Sequence, residues 1–236
     1  MRPSRTAVIV PAAGRGERLG PGAPKALRLL SGQPILVHAV RAVASARGVD
    51  LVVVAAPDDA IDSTRRLLSD IEHDAQLIVV AGGETRQDSV ARALLALPPD
   101  VDVVLVHDAA RPLVPPEVVD RVISAVRTGS DAVIPVLAVV DTIKEVDDAE
   151  VVRRTLDRGR LRAVQTPQGF RREALQAAHA ASDGGDATDD AGLVEAQGIA
   201  VSTVAGAEEA FKITRPLDLV LAEAVLARRR ASGGVG

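Results

Sequence analysis

Short runs of Val, Ile, Leu and Ala alternate along this chain with longer stretches in which apolar residues recur at helical spacing. Residues 7–10, 51–55, 77–80, 103–106 and 132–136 are apolar with no polar alternate, the pattern of strands covered on both faces. Residues 34–46, 61–71, 87–97, 116–127 and 216–229 predict helices, several of them entered through a proline or a short polar cap. Such alternation predicts an α/β fold with a mostly parallel central sheet and helices on both faces. The rhythm breaks between Asp141 and Phe170. An acidic turn at 147–150 and a basic stretch through Arg162 predict a projecting β-hairpin arm over 139–165, and the chain, 1–236, reads as one domain carrying that arm. Residues 184–190 predict a polar loop leading into a short helix capped by Thr188 or Asp189, and 232–236 a frayed tail.

Composition narrows the chemistry. Of 236 residues, 47% are hydrophobic, yet there are only two Phe, one Met and no Trp or Tyr, so packing rests on aliphatic side chains. The absence of cysteine excludes disulfides, thiolate nucleophiles and Cys-ligated metals. A net charge of -4 excludes a broad basic face for nucleic acid or anionic lipid, so any phosphate site must be local. No apolar run is long enough to cross a bilayer, and the first residues lack the pattern of a signal peptide. The expectation is a cytoplasmic protein with no nucleic-acid or membrane partner. Arg228, Arg229 and Arg230 are expected to complement the dipole at the end of the last helix.

In sheets of this kind ligands bind at the carboxyl ends of the strands, and those positions are rich here. Residues 11–18 read Pro-Ala-Ala-Gly-Arg-Gly-Glu-Arg, residues 81–86 Ala-Gly-Gly-Glu-Thr-Arg, and residues 107–112 His-Asp-Ala-Ala-Arg-Pro. The first block is not a dinucleotide fingerprint, because its last Gly comes one place late and the acid after the second strand, Asp58, lies too far along. Nor is it a P-loop, since Lys25 stands between Pro24 and Ala26. It does offer small residues and backbone N–H groups near Ala12 to Gly16, with Arg18 and Lys25 close behind, a set suited to a triphosphate; the alternative is that both cations are solvated surface charges. Asp108 can meet a divalent cation that itself sits on phosphate oxygens, and Arg111 a second anion. The alternative there is a polar strand end in which His107 and Asp108 pair locally with Arg111. His38, His73 and His179 are expected to be surface or helix residues without a role.

Further blocks follow in order: Gly82-Gly83 through Asp88-Ser89-Val90, Asp141-Thr142 with Lys144, Asp157-Arg158, the segment 165–170 reading Gln-Thr-Pro-Gln-Gly-Phe, Thr188-Asp189, and 212–216 reading Lys-Ile-Thr-Arg-Pro. Together with the earlier motifs they resemble the 2-C-methyl-D-erythritol 4-phosphate cytidylyltransferases of the non-mevalonate isoprenoid pathway along almost the whole chain. The resemblance implies a Rossmann-like nucleotidyltransferase sandwich that joins CTP and 2-C-methyl-D-erythritol 4-phosphate, using Mg2+. It implies that Ala12, Ala13, Gly14, Gly16, Gly83 and Ser89 surround CTP and that Arg18 and Lys25 stabilise the transition state. By the same likeness, Asp108 lies near the magnesium and both substrates, and Arg111, Thr142, Thr166 and Thr188 line the acceptor pocket. Arg158 and Lys212 would position the attacking phosphate, Arg158 across a homodimer formed through the arm. Leu19, Ala26-Leu27 and Glu84 depart from the usual pattern without removing a required charge. A phosphate monoester is mostly dianionic near neutral pH, its second pKa being about 6, so the attack needs no general base. A pentitol-phosphate cytidylyltransferase, for instance one using ribitol 5-phosphate, and a non-catalytic CTP sensor are the alternatives.

Overall fold

The computed structural model describes residues 4–14, 25–71, 74–182 and 188–233. Among them, eight strands form one sheet: β1 (Arg5–Pro11), β4 (Leu51–Ala56), β5 (Gln76–Ala81), β6 (Val101–Val106), β7 (Ala132–Ala138), β10 (Arg162–Val164), β11 (Gln168–Arg171) and β12 (Val201–Ala205). Two small hairpins stand apart, β2 (Leu29–Leu30) with β3 (Gln33–Pro34), and β8 (Lys144–Val146) with β9 (Val152–Thr155). The helices are α1 (Ile35–Ala44), α2 (Ile61–Leu68), α3 (Arg86–Leu95), α4 (Pro116–Arg127), α5 (Arg172–Ala180), α6 (Asp190–Ala196) and α7 (Pro216–Ala231).

β1 pairs in parallel with β4 and β6, and β4 in parallel with β5, as the buried apolar runs predict. β12 also runs parallel to β7, whereas β11 runs antiparallel between β6 and β7. Alternate residues of the central strands serve opposite layers. Val8, Val10, Val52 and Val54 pack with α1, α2 and α4, while Ala7, Ile9, Leu51 and Val53 pack with α3, α5 and α6. A third cluster seats α7 through Ala222, Val225 and Leu226 on Leu30, Ile35, Leu113 and Ile213. No helix among the described residues is long and apolar enough to cross a membrane.

The segment 139–165 contains two different things. β8 and β9 form an exposed hairpin of their own, but β10 rejoins the main sheet on the same edge of β7 that β11 uses further along. Between the pairings Val164↔Val136 and Gly169↔Val133 the register slips, and the intervening turn carries Thr166 toward the end of β6. β11 and β12 were not expected from the sequence. β11 begins with two residues, Gln168 and Gly169, that do not read as strand, and β12 is an edge strand whose Ser202 and Thr203 face solvent. Arg228 and Arg229 do lie in the last turn of α7, and both also pair with Glu209.

Gly169 lets α4 approach β11 closely: a Cβ there would stand 2.4 Å from Val122 Cγ1 and 3.2 Å from Val126 Cγ2. Both neighbours are β-branched and buried, so neither can swing aside. Replacing Gly169 with Ala is expected to lower stability by about 1–3 kcal/mol, the usual cost of overpacking. Urea denaturation measures it, and an unchanged midpoint would contradict this packing.

Candidate active site

The carboxyl ends of β1, β5 and β6 converge on one pocket of about 200 Å³, lined by Pro11, Ala12, Gly14, Ala26, Ile35, Arg86, Ser89, Asp108, Ala109, Ala110 and Lys212. Backbone bonds set its floor. Ala12 N–H donates to the Ala55 carbonyl at 2.8 Å and Gly82 N–H to that of Ala56 at 2.7 Å, which prolongs the parallel ladder past the strand ends. A side chain at Gly82 would meet Ala13 Cβ at 2.5 Å, so the first loop lies directly against the third. Thr85 caps α3 reciprocally with Asp88. Inside that turn the Ser89 hydroxyl accepts from Gly83 N–H at 3.0 Å and donates to the Thr85 carbonyl at 2.9 Å.

At the end of β6 the chain is fixed from three sides. His107 N–H donates to the Ile9 carbonyl, and Asp108 N–H to Thr166 Oγ1 at 3.0 Å. Fully buried His107 bonds the Arg111 carbonyl through Nε2 at 3.1 Å and meets Thr166 Oγ1 through Nδ1 at 3.1 Å. Because a carbonyl only accepts, Nε2 carries the proton; Nδ1 then receives the threonine hydroxyl, and the ring is neutral. Burial pushes its pKa down to about 4, outweighing the attraction of neighbouring Asp108.

Asp108 is the electrostatic centre of the pocket. Its side chain is only 12% exposed, with Oδ1 3.2 Å from Arg86 Nε and Oδ2 2.7 Å from Lys212 Nζ. Burial opposes ionisation, but Arg86 and Lys212 outweigh it and hold the carboxyl well below the ordinary carboxylate range. Arg111 faces elsewhere: its guanidinium donates to the Ala210 and Val164 carbonyls. The local pairing considered from sequence forms through the backbone, with His107 on the Arg111 carbonyl and Arg111 N–H on the Asp108 carbonyl, whereas the Asp108 carboxylate takes Arg86 and Lys212.

Of the residues singled out from sequence, Ala12, Gly14, Ser89, Asp108 and Lys212 line this pocket, and Ala13, Gly83 and Thr166 support its walls. Thr142 and Arg158 do not join it. Both are exposed on the arm side, where Arg158 donates to the Val140 carbonyl. Thr188 is exposed just before α6, and Asp189, not Thr188, caps that helix through Gly192 N–H. Gly16, Arg18 and His73 lie outside the described residues; Lys25 opens a short 3-10 turn, Lys25–Leu27, and its side chain lies outside them too. His38 and His179 sit on helices as expected, but neither is a surface residue. His38 is buried and bonds the Leu30 carbonyl, and His179 pairs with Asp190 at 3.0 Å.

From sequence Arg86 was placed in a strand-end block but given no role, and Asp190 was given none. A cue to Arg86 was available: a cation in a helix's first turn opposes the macrodipole and needs a carboxylate partner. Among the described residues no three His, Asp or Glu side chains gather as a metal site. Asp108 does put one ionised carboxylate on the pocket wall, the kind of donor magnesium accepts together with phosphate oxygens and water.

The family model for 2-C-methyl-D-erythritol 4-phosphate cytidylyltransferase matches residues 6–228. The chain belongs to this family. It is accordingly a nucleotidyltransferase, as its sequence suggested. A cytidylyltransferase so named from Streptomyces coelicolor is 58% identical, covering 98% of this chain and 88% of that protein. One from Frankia casuarinae is 59% identical over 224 residues, covering 95% and 82%. Among solved structures, the cytidylyltransferase of Thermus thermophilus superposes with a TM-score of 0.76 at 41% identity, covering 95% of this chain and 99% of that one. The 4-diphosphocytidyl-2C-methyl-D-erythritol synthase of Anaerococcus prevotii gives 0.82 at 30% identity with the same coverage.

The neutral burial of His107, and the same downward shift at His38 caused by burial, make this cytidylyltransferase acid-sensitive. Each ring must gain a proton when the chain unfolds below the ordinary histidine value. Their contribution is full above pH ~6.5 and is lost as pH falls toward the folded values. The urea midpoint is expected to drop between pH 7 and pH 5; a constant midpoint would contradict the neutral rings.

Proposed function

We propose that this chain, acting in the cytoplasm as a homodimer, transfers the cytidylyl group of CTP to 2-C-methyl-D-erythritol 4-phosphate, giving 4-diphosphocytidyl-2-C-methyl-D-erythritol and pyrophosphate in the non-mevalonate isoprenoid pathway. The observation that carries the residue assignment is Asp108, ionised between Arg86 and Lys212 at the strand-end pocket of a chain in this family. In the reaction an oxygen of the acceptor phosphate forms a bond to the α-phosphorus of CTP. The bond from that phosphorus to the bridging oxygen breaks, and pyrophosphate leaves with the electron pair. The acceptor arrives as a dianion, so no proton has to be removed.

What the chain must supply is alignment and positive charge. Ala12, Ala13, Gly14, Gly16, Gly83 and Ser89 hold CTP, the small residues admitting phosphate and base close to the backbone. Arg18 and Lys25 stabilise the charge that develops at the α-phosphorus and on the leaving group. Asp108 would hold Mg2+, which when bound neutralises phosphate oxygens. Thr166, Arg111, Thr142 and Thr188 shape the acceptor pocket, and Lys212 with Arg158 aligns the attacking phosphate. The position of Thr142 and Arg158 away from the pocket supports an arm that serves a neighbouring subunit. So do Val146, Val151 and Val152, apolar residues exposed on the β8–β9 hairpin.

Pyrophosphate release with magnesium, for each of the four nucleoside triphosphates against methylerythritol phosphate and ribitol 5-phosphate, tests the reading. Turnover confined to CTP with methylerythritol phosphate is expected; turnover with ribitol 5-phosphate alone would reassign the acceptor, and none with any pair would leave a sensor. Lys25→Ala is expected to lower kcat by about 10²–10³-fold, the scale of a lost transition-state contact. A parental rate would remove Lys25 from that role. Mixed dimers of Lys25→Ala and Arg158→Ala chains are expected to regain part of the activity, and heterodimers as inactive as either parent would contradict action across the dimer.

A further inference from the structure

Behind Asp108 the charged groups continue into the protein. Arg86 Nη1 donates to Asp190 Oδ2 at 2.6 Å while its Nε holds Asp108. Asp190 is 1% exposed and takes no part in lining the pocket, and its other oxygen accepts from His179 Nε2 at 3.0 Å. Burying a carboxylate so completely is costly unless it is paired, and here both oxygens are.

The mounting around Asp190 is stiff. It is the first residue of α6, and the buried Gln168 side chain grips that helix start, donating to Asp189 at 2.6 Å and accepting from Ala191 N–H at 3.1 Å. His179 lies near the end of α5, whose Leu175 and Ala178 are buried in the same core layer as Ala191 and Val194 of α6. Asp190 therefore sits at a fixed place relative to the sheet and can fix whatever it binds.

The two cations on Asp108 are thus unequal. Lys212 has Asp108 as its only ion-pair partner among the described residues, whereas Arg86 is tied at its far end to a buried carboxylate. We propose that Asp190, anchored by His179, is a positioning residue for the transfer reaction. It acts through Arg86, keeping that guanidinium on Asp108 when phosphates enter, so that Lys212 is the cation released to the acceptor. Without Asp190, Arg86 would be a mobile cation competing for phosphate. Nucleotide would still bind, but Asp108 would lose its fixed orientation. This inference rests on the reading of Asp108 as a site residue.

The test compares Asp190→Asn, Arg86→Lys, the double variant and Asp108→Asn by steady-state pyrophosphate release, by calorimetric titration with CTP and magnesium, and by thermal denaturation. Asp190→Asn is expected to lower kcat at least tenfold while the CTP dissociation constant stays within threefold. Arg86→Lys keeps the charge but loses the fork that spans two carboxylates, so it is expected to cost kcat similarly. Adding Asp190→Asn to Arg86→Lys is expected to lower kcat by less than a further threefold with the melting temperature retained, which separates action through Arg86 from a general loss of structure. Full additivity, or parental kcat in folded Asp190→Asn, would overturn the proposal. If Asp190→Asn does not fold, Arg86→Lys decides: a parental kcat there overturns it, and a tenfold loss without a change in melting temperature supports it. A parental rate in Asp108→Asn would instead sink the site reading itself.

Discussion

A carboxylate set into a protein wall repels the phosphates that a nucleotidyltransferase must bind, and it keeps its charge there only if cations hold it. Asp108 meets this constraint with one cation on each oxygen, Arg86 at 3.2 Å and Lys212 at 2.7 Å. The surrounding structure is arranged to keep that triplet in place. Thr166, just ahead of β11, receives the Asp108 amide, neutral His107 closes the turn beneath it, and the Ile213 amide bonds the Ala110 carbonyl so that Lys212 arrives beside the turn. The Thr166, Ile213, Arg86 and Lys212 contacts each join distant parts of the chain, so the site exists only once the whole fold has formed.

The fold serves that end through its strand directions. β1, β4, β5 and β6 run parallel and finish on one side, so their loops share a single edge of the sheet. Antiparallel β11 is the exception that matters, because its turn approaches from the opposite direction and delivers Thr166. The exposed β8–β9 hairpin lies outside this construction, its two strands pairing only with each other.

The central strands were legible in the sequence because helices cover both faces of them, which demands unbroken runs such as Val103–Val106. β11 and β12 were not, since one opens on Gln168 and Gly169 and the other lies at an edge where Ser and Thr are as acceptable as Val. Helix boundaries shifted by a few residues where local capping decided them: Thr85 starts α3 at Arg86, and α2 stops at Leu68 when the chain turns into Ser69–Ile71. Asp108 was recognisable from its place after an apolar strand. Its anchoring through Arg86 to Asp190 was not, because those two residues are 104 positions apart and nothing local in the Asp189–Asp190 doublet says which carboxylate caps the helix and which turns inward.

The role of Asp108 is measured most directly by the magnesium dependence of CTP binding in the parent chain and in Asp108→Asn, followed by calorimetry across a series of magnesium concentrations. Magnesium is expected to tighten CTP binding to the parent at least tenfold, and this gain is expected largely to disappear in the variant, with the melting temperature retained. Equal magnesium dependence in the two proteins would contradict the claim that Asp108 is held ionised to receive the metal-bound nucleotide.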